Sequence, residues 1–359
     1  MLTKIVPLAA AILISSAVNA TSDDFNSAYQ QYLDAVESGS NVEEFAKQAY
    51  QLGVEKFGDN SINAANLAIN YANSIKNTNK EQRKERASLY EQALDIFRNR
   101  ESNEPLMQVD PLFGLAASSQ NWRSAANYID KAISLTQQTN HPKLVADSQI
   151  DAAQLLIQQY GYDRDAMIKA RKYLDQAQEY YQNNVADNTI DNIKLRFNQA
   201  VNSAKLNHKN ESIDHLLSVV KVFDDNFDAD HPIELKAHSM LVELYERSGE
   251  RDQATKHCLA IAQMSPWQDT QQQTPLYRVE PKFPISAAKR MASGNVVLNI
   301  LIDEAGFVQS ADVVSSEGHS DFKKEALKAV RKWRYAPKFE EGKAVQAETT
   351  VQLDFRINS

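Results

Sequence analysis

A short apolar-to-small segment returns six times along most of this chain, and its spacing fixes the class of structure the chain can build. It reads Phe45-Ala-Lys-Gln-Ala49, Leu89-Tyr-Glu-Gln-Ala93, Tyr128-Ile-Asp-Lys-Ala132, Tyr173-Leu-Asp-Gln-Ala177, Leu216-Leu-Ser-Val219 and Cys258-Leu-Ala260. At the last position successive copies lie 44, 39, 45, 42 and 41 residues apart. Other segments of helical period fall between them, at 62–75, 152–160, 197–206 and 237–248. One helix pair cannot bury its apolar stripe alone, so a pair recurring at this step predicts a stacked solenoid. The small residue at the repeated position lets neighbouring helices approach closely.

Two stretches resemble tetratricopeptide (TPR) repeats. Tyr245-Glu-Arg-Ser-Gly249-Glu-Arg-Asp-Gln-Ala254 has the Gly-turn-Ala pattern, and Gln120-Asn-Trp-Arg-Ser-Ala125-Ala126 is similar to it. The step exceeds the usual ~34 residues, which implies longer hairpins with irregular loops. The resemblance implies a concave surface that takes a protein or peptide.

The last quarter changes period. Gly294–Ile302 is β-branched and uncharged and reads as a strand. Asp303-Glu-Ala-Gly306 supplies a turn in which Gly306 can take positive φ, and 307–315 reads as the return strand. From Asp321 to Lys332 the period becomes helical. Phe322, Ala326, Ala329, Val330 and Trp333 form one stripe, with Lys323, Lys324, Lys328 and Arg331 largely off it as a solvated face. Pro337 forbids continuation. A polar loop containing Gly342 leads to an alternating strand over 345–357, with Val351, Leu353, Phe355 and Ile357 on one face. Upstream, Pro281-Lys-Phe-Pro284 is extended and precedes a short helix over 286–291.

That order of elements, with Pro281, Phe283, Pro284, Gly294, Val296, Asp303, Gly306 and Trp333-Arg334-Tyr335-x-Pro337, resembles the C-terminal domain of the TonB family. Phe283 stands where that family usually has Tyr, and Glu280 where it often has Gln. The resemblance implies that an outer-membrane TonB-dependent transporter, or another TonB-system protein, adds an extended segment to the last strand. An unpaired sheet edge is a template for such a strand. The implied receptor-strand site is Arg278, Glu280, Pro281, Lys282, Phe283 and Pro284 with Thr349, Val351, Leu353 and Phe355. Gln346, Glu348, Gln352 and Asp354 keep that edge soluble. Gly294, Asp303, Gly306, Trp333, Arg334, Tyr335 and Pro337 are the structural signature, Trp333 packing the helix on the sheet.

The chain start sets the expected compartment. A basic opening, an apolar core over 5–14 and Val18-Asn-Ala20 have the pattern of a cleaved signal peptide. The uncharged stretch over 5–18 is shorter than the ~20 residues of a spanning helix. TonB proteins keep their N-terminal helix as an inner-membrane anchor with a His that engages the motor; this segment has no His, and a Pro-rich spacer is missing. The resemblance therefore does not extend to motor coupling. The expected organisation is a signal peptide over 1–20, a TPR-like all-α solenoid over 21–265, a linker over 266–276 and a small α+β TonB-like domain over 277–359. The mobile part of the linker is Gln268–Gln273. A periplasmic protein follows, with an inner-membrane anchor facing the periplasm as the alternative.

Charge and chemistry narrow the function. The segment 267–359 holds 13 Lys+Arg against 12 Asp+Glu, while the remainder holds 26 against 35. An acidic helical region argues against nucleic acid, whose phosphates it repels. The single Cys258 excludes an intramolecular disulfide and reads as a buried thiol. The seven histidines contain no His-x-x-x-His pair with an intervening Glu. Asp224-x-Asn226-x-Asp228 starts like a calcium loop, but Ala229 and Leu235 replace the required Gly and Glu. No catalytic, cofactor-binding or metal residues are expected, so the chain reads as non-enzymatic. The alternative to transporter binding is a periplasmic scaffold whose TonB-like domain serves assembly or self-association only, as in a homodimer.

Overall fold

A computed structural model describes residues 20–99, 105–227, 230–265, 267 and 273–357. The signal-peptide reading over 1–19, and Asp228 and Ala229 of the calcium-like loop, lie outside these residues, as does all of the linker's mobile part except Gln273. The chain divides into two compact units, one ending at Tyr160 and the other starting at Gly161.

The first unit is a run of helices: α1 (Ala20–Ser38), α2 (Val42–Phe57), α3 (Ile62–Ser74), α4 (Lys80–Asn99), α5 (Val109–Ser118), α6 (Trp122–Gln137) and α7 (Pro142–Tyr160). Each packs on the next, and α5 also touches α3 and α7. Contact between next-nearest helices is the mark of stacked hairpins. Local chemistry starts the helices: Ser61 accepts from Ala64 N–H and Asn121 from Ser124 N–H, each at 3.0 Å.

The second unit continues with α8 (Arg164–Asn184), α9 (Ile190–Lys205), α10 (Lys209–Asn226), α11 (Pro232–Ser248) and α12 (Arg251–Met264). The helix expected near Pro232 forms, with Pro232 at its first turn and the His231 ring accepting from Ile233 N–H. Gly249 ends α11 at φ 77°, a conformation open to Gly at no steric cost.

The repeated small residues Ala49, Ala93, Ala132, Ala177 and Val219 are all buried. Ala260 departs from the pattern and is only half-buried; Cys258 and Ala262, four apart, hold the buried face of α12. The pattern spans about one helical turn, three or four residues, and the segment from Cys258 to Ala260 is too short to span it.

The C-terminal part is α+β. After the short helix α13 (Ile285–Lys289) come β1 (Gly294–Ile302), β2 (Val308–Glu317), α14 (Asp321–Val330), the small strands β3 (Lys338–Glu340) and β4 (Lys343–Val345), and β5 (Ala347–Phe355). The antiparallel sheet has the order β2-β1-β5, and α14 packs against β1 and β2. Val296, Leu298, Ile300, Val351, Leu353 and Phe355 meet Phe322, Ala326, Val330, Trp333 and Tyr335 in one core. The expected helix stripe is buried and its four cations are exposed.

The short helix lies at Ile285–Lys289 rather than 286–291 and the return strand at Val308–Glu317 rather than 307–315, and further boundaries also differ from expectation. Helix α14 stops at Val330, and two turn hydrogen bonds carry the chain to Trp333. The loop at Gly342 is instead a hairpin between β3 and β4, because Glu341 and Gly342 both take positive φ (51° and 77°), as a two-residue primed turn demands. β5 therefore starts at Ala347, and Ile357 lies beyond its end, 42% exposed.

Candidate functional site

The outer edge of β5 follows from its alternation. Val351, Leu353 and Phe355 point into the core, while Glu348, Thr350, Gln352 and Asp354 stay exposed. Among the described residues β5 pairs on one side only, with β1, and its register runs unbroken from Ile302↔Ala347 to Gly294↔Phe355. The opposite edge, β2, carries two register shifts against β1. Bulges and twist blunt an edge, whereas a regular one keeps its N–H and C=O groups aligned for another strand.

Residues 277–284 form no named strand and pack against the aromatic part of the core. Tyr277 bridges to Arg334, and the Trp333 indole N–H donates to the Val279 carbonyl at 2.9 Å. The Arg278 guanidinium lies 5.0 Å from the Trp333 ring centroid and pairs with Glu280 at 2.9 Å. Phe283 packs on Phe322 and Phe355, its centroid 5.6 and 6.2 Å from theirs.

The structure thus sorts the expected receptor-strand residues. Arg278, Glu280 and Lys282 are exposed, while Pro281, Phe283, Pro284 and Thr349 are half-buried. The side chains of Val351, Leu353 and Phe355 are spent on the core, so only their main chain is open to a partner. Phe283 and Phe355 are brought together; Thr349, six residues back along β5, is ~20 Å from that end.

The signature residues hold the turn behind the site. Asp303 accepts from Ala305 N–H and Phe307 N–H at 3.0 and 2.8 Å. Gly306 sits at φ 85°, and a Cβ there would lie 2.1 Å from the Tyr335 carbonyl oxygen. A Cβ on Gly294 would meet the Glu317 carbonyl at the same distance. Pro337 is buried beside this turn. Burial pushes the Tyr335 hydroxyl well above the usual phenol range.

Arg334 is the residue whose role the sequence did not disclose. It is 1% exposed and ion-paired with Glu246 of α11, itself 4% exposed. Its guanidinium also donates to Thr255 Oγ1 at 2.9 Å and the Ala305 carbonyl at 2.8 Å, and lies 3.6 Å from the Phe307 ring centroid. The Cys258 thiol touches it at 3.6 Å, yet burial outweighs that cation and pushes the thiol up to about 11. Around this node Val242, Cys258 and Ile261 pack with Leu276, Tyr277 and Ala336. The last helical hairpin and the sheet domain therefore share a buried, charged joint. An Arg between two buried aromatics was the only signal in the sequence.

Among the described residues, no cluster of three or more His, Cys, Asp or Glu is placed to hold a metal. No described helix is long and apolar enough to cross a membrane.

Comparison with known proteins places the C-terminal part. Residues 279–357 match the family model for the Gram-negative bacterial TonB protein C-terminal. Protein tonB2 of Pseudomonas aeruginosa is 29% identical over 83 residues, covering 23% of this chain and 31% of that protein. Protein TonB of Vibrio cholerae is 28% identical over 80 residues, covering 22% of this chain and 33% of its own. The chain thus spans about a third of the length of these curated relatives. The helical part has TPR-like structural neighbours. A crystal structure of kinesin light chain TPR-like repeats from Podosopora anserina has a TM-score of 0.45 at 18% identity, covering 56% of this chain and 92% of that one.

Proposed function

We propose that this protein is a periplasmic component of a TonB system, which captures an extended segment of an outer-membrane TonB-dependent transporter as a strand added to β5. The process served is energy-dependent uptake across the outer membrane. The observation that carries this reading is the nine-residue register of β5, unbroken and open on its outer side. Main-chain hydrogen bonds supply affinity in such a complex, and the flanking side chains supply selectivity. Arg278, Glu280 and Lys282 are exposed to read the incoming segment, and Phe283 packs edge-on against Phe355 at the end of the strand. The chain works after removal of residues 1–20, with the solenoid over 21–265 holding a second partner, the linker over 266–276 and the strand-capturing domain over 277–359.

The test is a pair of proline variants in the full chain, titrated with a synthetic N-terminal segment of such a transporter. In an antiparallel ladder, successive residues direct their N–H groups to opposite sides. Of Thr350→Pro and Val351→Pro, one therefore removes an edge donor and the other a donor to β1. The edge variant should keep its fold and lose peptide binding. Binding that survives in it would refute strand addition at β5. Dimerisation without peptide, abolished by the same variant, would assign the edge to self-association instead.

A further inference from the structure

We propose that the face of the solenoid formed by α4 and the start of α6 is a second binding site, which takes an acidic peptide by seating its carboxylates among Lys80, Arg83 and Lys84. A cleft of about 340 Å³ opens there. The three cations are spaced i, i+3 and i+4, so they project from one face of α4. None of them is in an ion pair among the described residues. The Arg83 Nε is buried with no hydrogen-bond partner. Three uncompensated cations gathered in a chain of net charge −8 run against its general character.

The opposite wall supports the same sign of ligand. Asn121 and Ser124, the cap and first turn of α6, line the cleft. The positive end of that helix dipole therefore faces the same space as the three cations. The floor is apolar, made by Ala87, Leu115 and Tyr128. An inorganic anion has no use for such a floor, whereas acidic side chains interleaved with apolar ones occupy both surfaces. Glu91 lines the far end, seven residues beyond Lys84 and so ~10 Å along the axis. It repels a second acidic cluster there and sets the peptide's polarity, acidic end toward Lys80.

The cleft is lined by α4, the end of α5, the turn that follows it and the start of α6. It does not depend on the β5 edge, so failure of either proposal leaves the other standing.

The full-length protein is titrated, by fluorescence anisotropy, with a labelled decapeptide of alternating Leu and Glu. A matched peptide with Lys in place of Glu, and sodium phosphate as competitor, form the other arms. The Glu peptide should bind saturably and weaken with added salt. Its affinity should fall at least ~10-fold in Lys80→Glu/Lys84→Glu, since each charge-assisted contact is worth about a factor of ten. Both positions are solvent-exposed, so far-UV circular dichroism should be unchanged. Arg83→Gln should weaken binding less, because the apolar floor and two cations remain. Absence of saturable binding, equal binding of the Lys peptide or undiminished affinity in the double variant would overturn the proposal. Displacement by millimolar phosphate would overturn the peptide assignment and leave a simple anion site.

Discussion

Glu246→Ala should be among the most destabilising single changes in the second unit, and the reason is the Arg334 joint. Both charges are almost fully withdrawn from water, at 1% and 4% exposure. Breaking a buried pair by removing one partner costs about 3–5 kcal/mol, because the other charge stays buried and uncompensated. Arg334 keeps the Thr255 hydroxyl, the Ala305 carbonyl and the Phe307 ring, so the lower end applies. A loss of about 3 kcal/mol is a factor of roughly 150 in the opening equilibrium. Cys258 offers a local readout: it is the only cysteine, fully buried, and in contact with Arg334. Its labelling by a thiol reagent under native conditions should accelerate by about that factor. Urea unfolding of the same protein should show a lower midpoint with an unchanged m-value. Replacing both partners by apolar residues, Glu246→Leu with Arg334→Met, should recover much of the loss, since burial of an ion pair is itself costly. A Glu246→Ala protein whose labelling rate stays within twofold of wild type would refute the argument. It would mean that the guanidinium escapes to water or that the joint is not closed in solution.

Gly306→Ala combines a positive φ with a Cβ 2.1 Å from a backbone oxygen that cannot rotate away. It should cost about 2 kcal/mol or more, read as a thermal midpoint several degrees lower. The buried rings of His238 and His257 meet at 2.8 Å between α11 and α12, with Tyr245 stacked on His257. Burial first, then the His238 and Lys256 charges, lower His257 to about 4, and burial also lowers His238 despite Asp224. Both groups ordinarily titrate near 6.5, and because both are lowered in the fold, the unfolded chain takes up protons more readily below that pH. Stability should therefore fall as pH drops from 6.5 toward 4, and His257→Phe should flatten that slope in urea titrations run at stepped pH.

The segments whose structure depends on near neighbours were readable from sequence. Helices at 62–75 and 237–248, the Asp303–Gly306 turn and the alternation of Val351, Leu353 and Phe355 all follow from period, caps and conformational preference. Those signals act over one helical turn or one strand, which is the range of a local pattern. The β3–β4 hairpin escaped because its turn is Glu-Gly, without the Asn or Asp that normally announces a primed turn. The end of β5 moved for a different reason: Ile357 keeps the alternation, but nothing on β1 remains opposite it beyond Gly294↔Phe355.

What the sequence alone determined, then, is a solenoid of paired helices followed by a small sheet domain with one regular edge strand. Tertiary structure alone decided which charges meet. Glu246 and Arg334 stand 88 positions apart, and His238 and His257 face each other from different helices. Lys80, Arg83 and Lys84 become a site only when α6 closes the cleft opposite them. A helix presents each side chain to whatever the stacking brings beside it, and stacking depends on many small contacts summed along the chain. Local preference fixes which face of an element is apolar, but packing geometry fixes the partner each polar group finds.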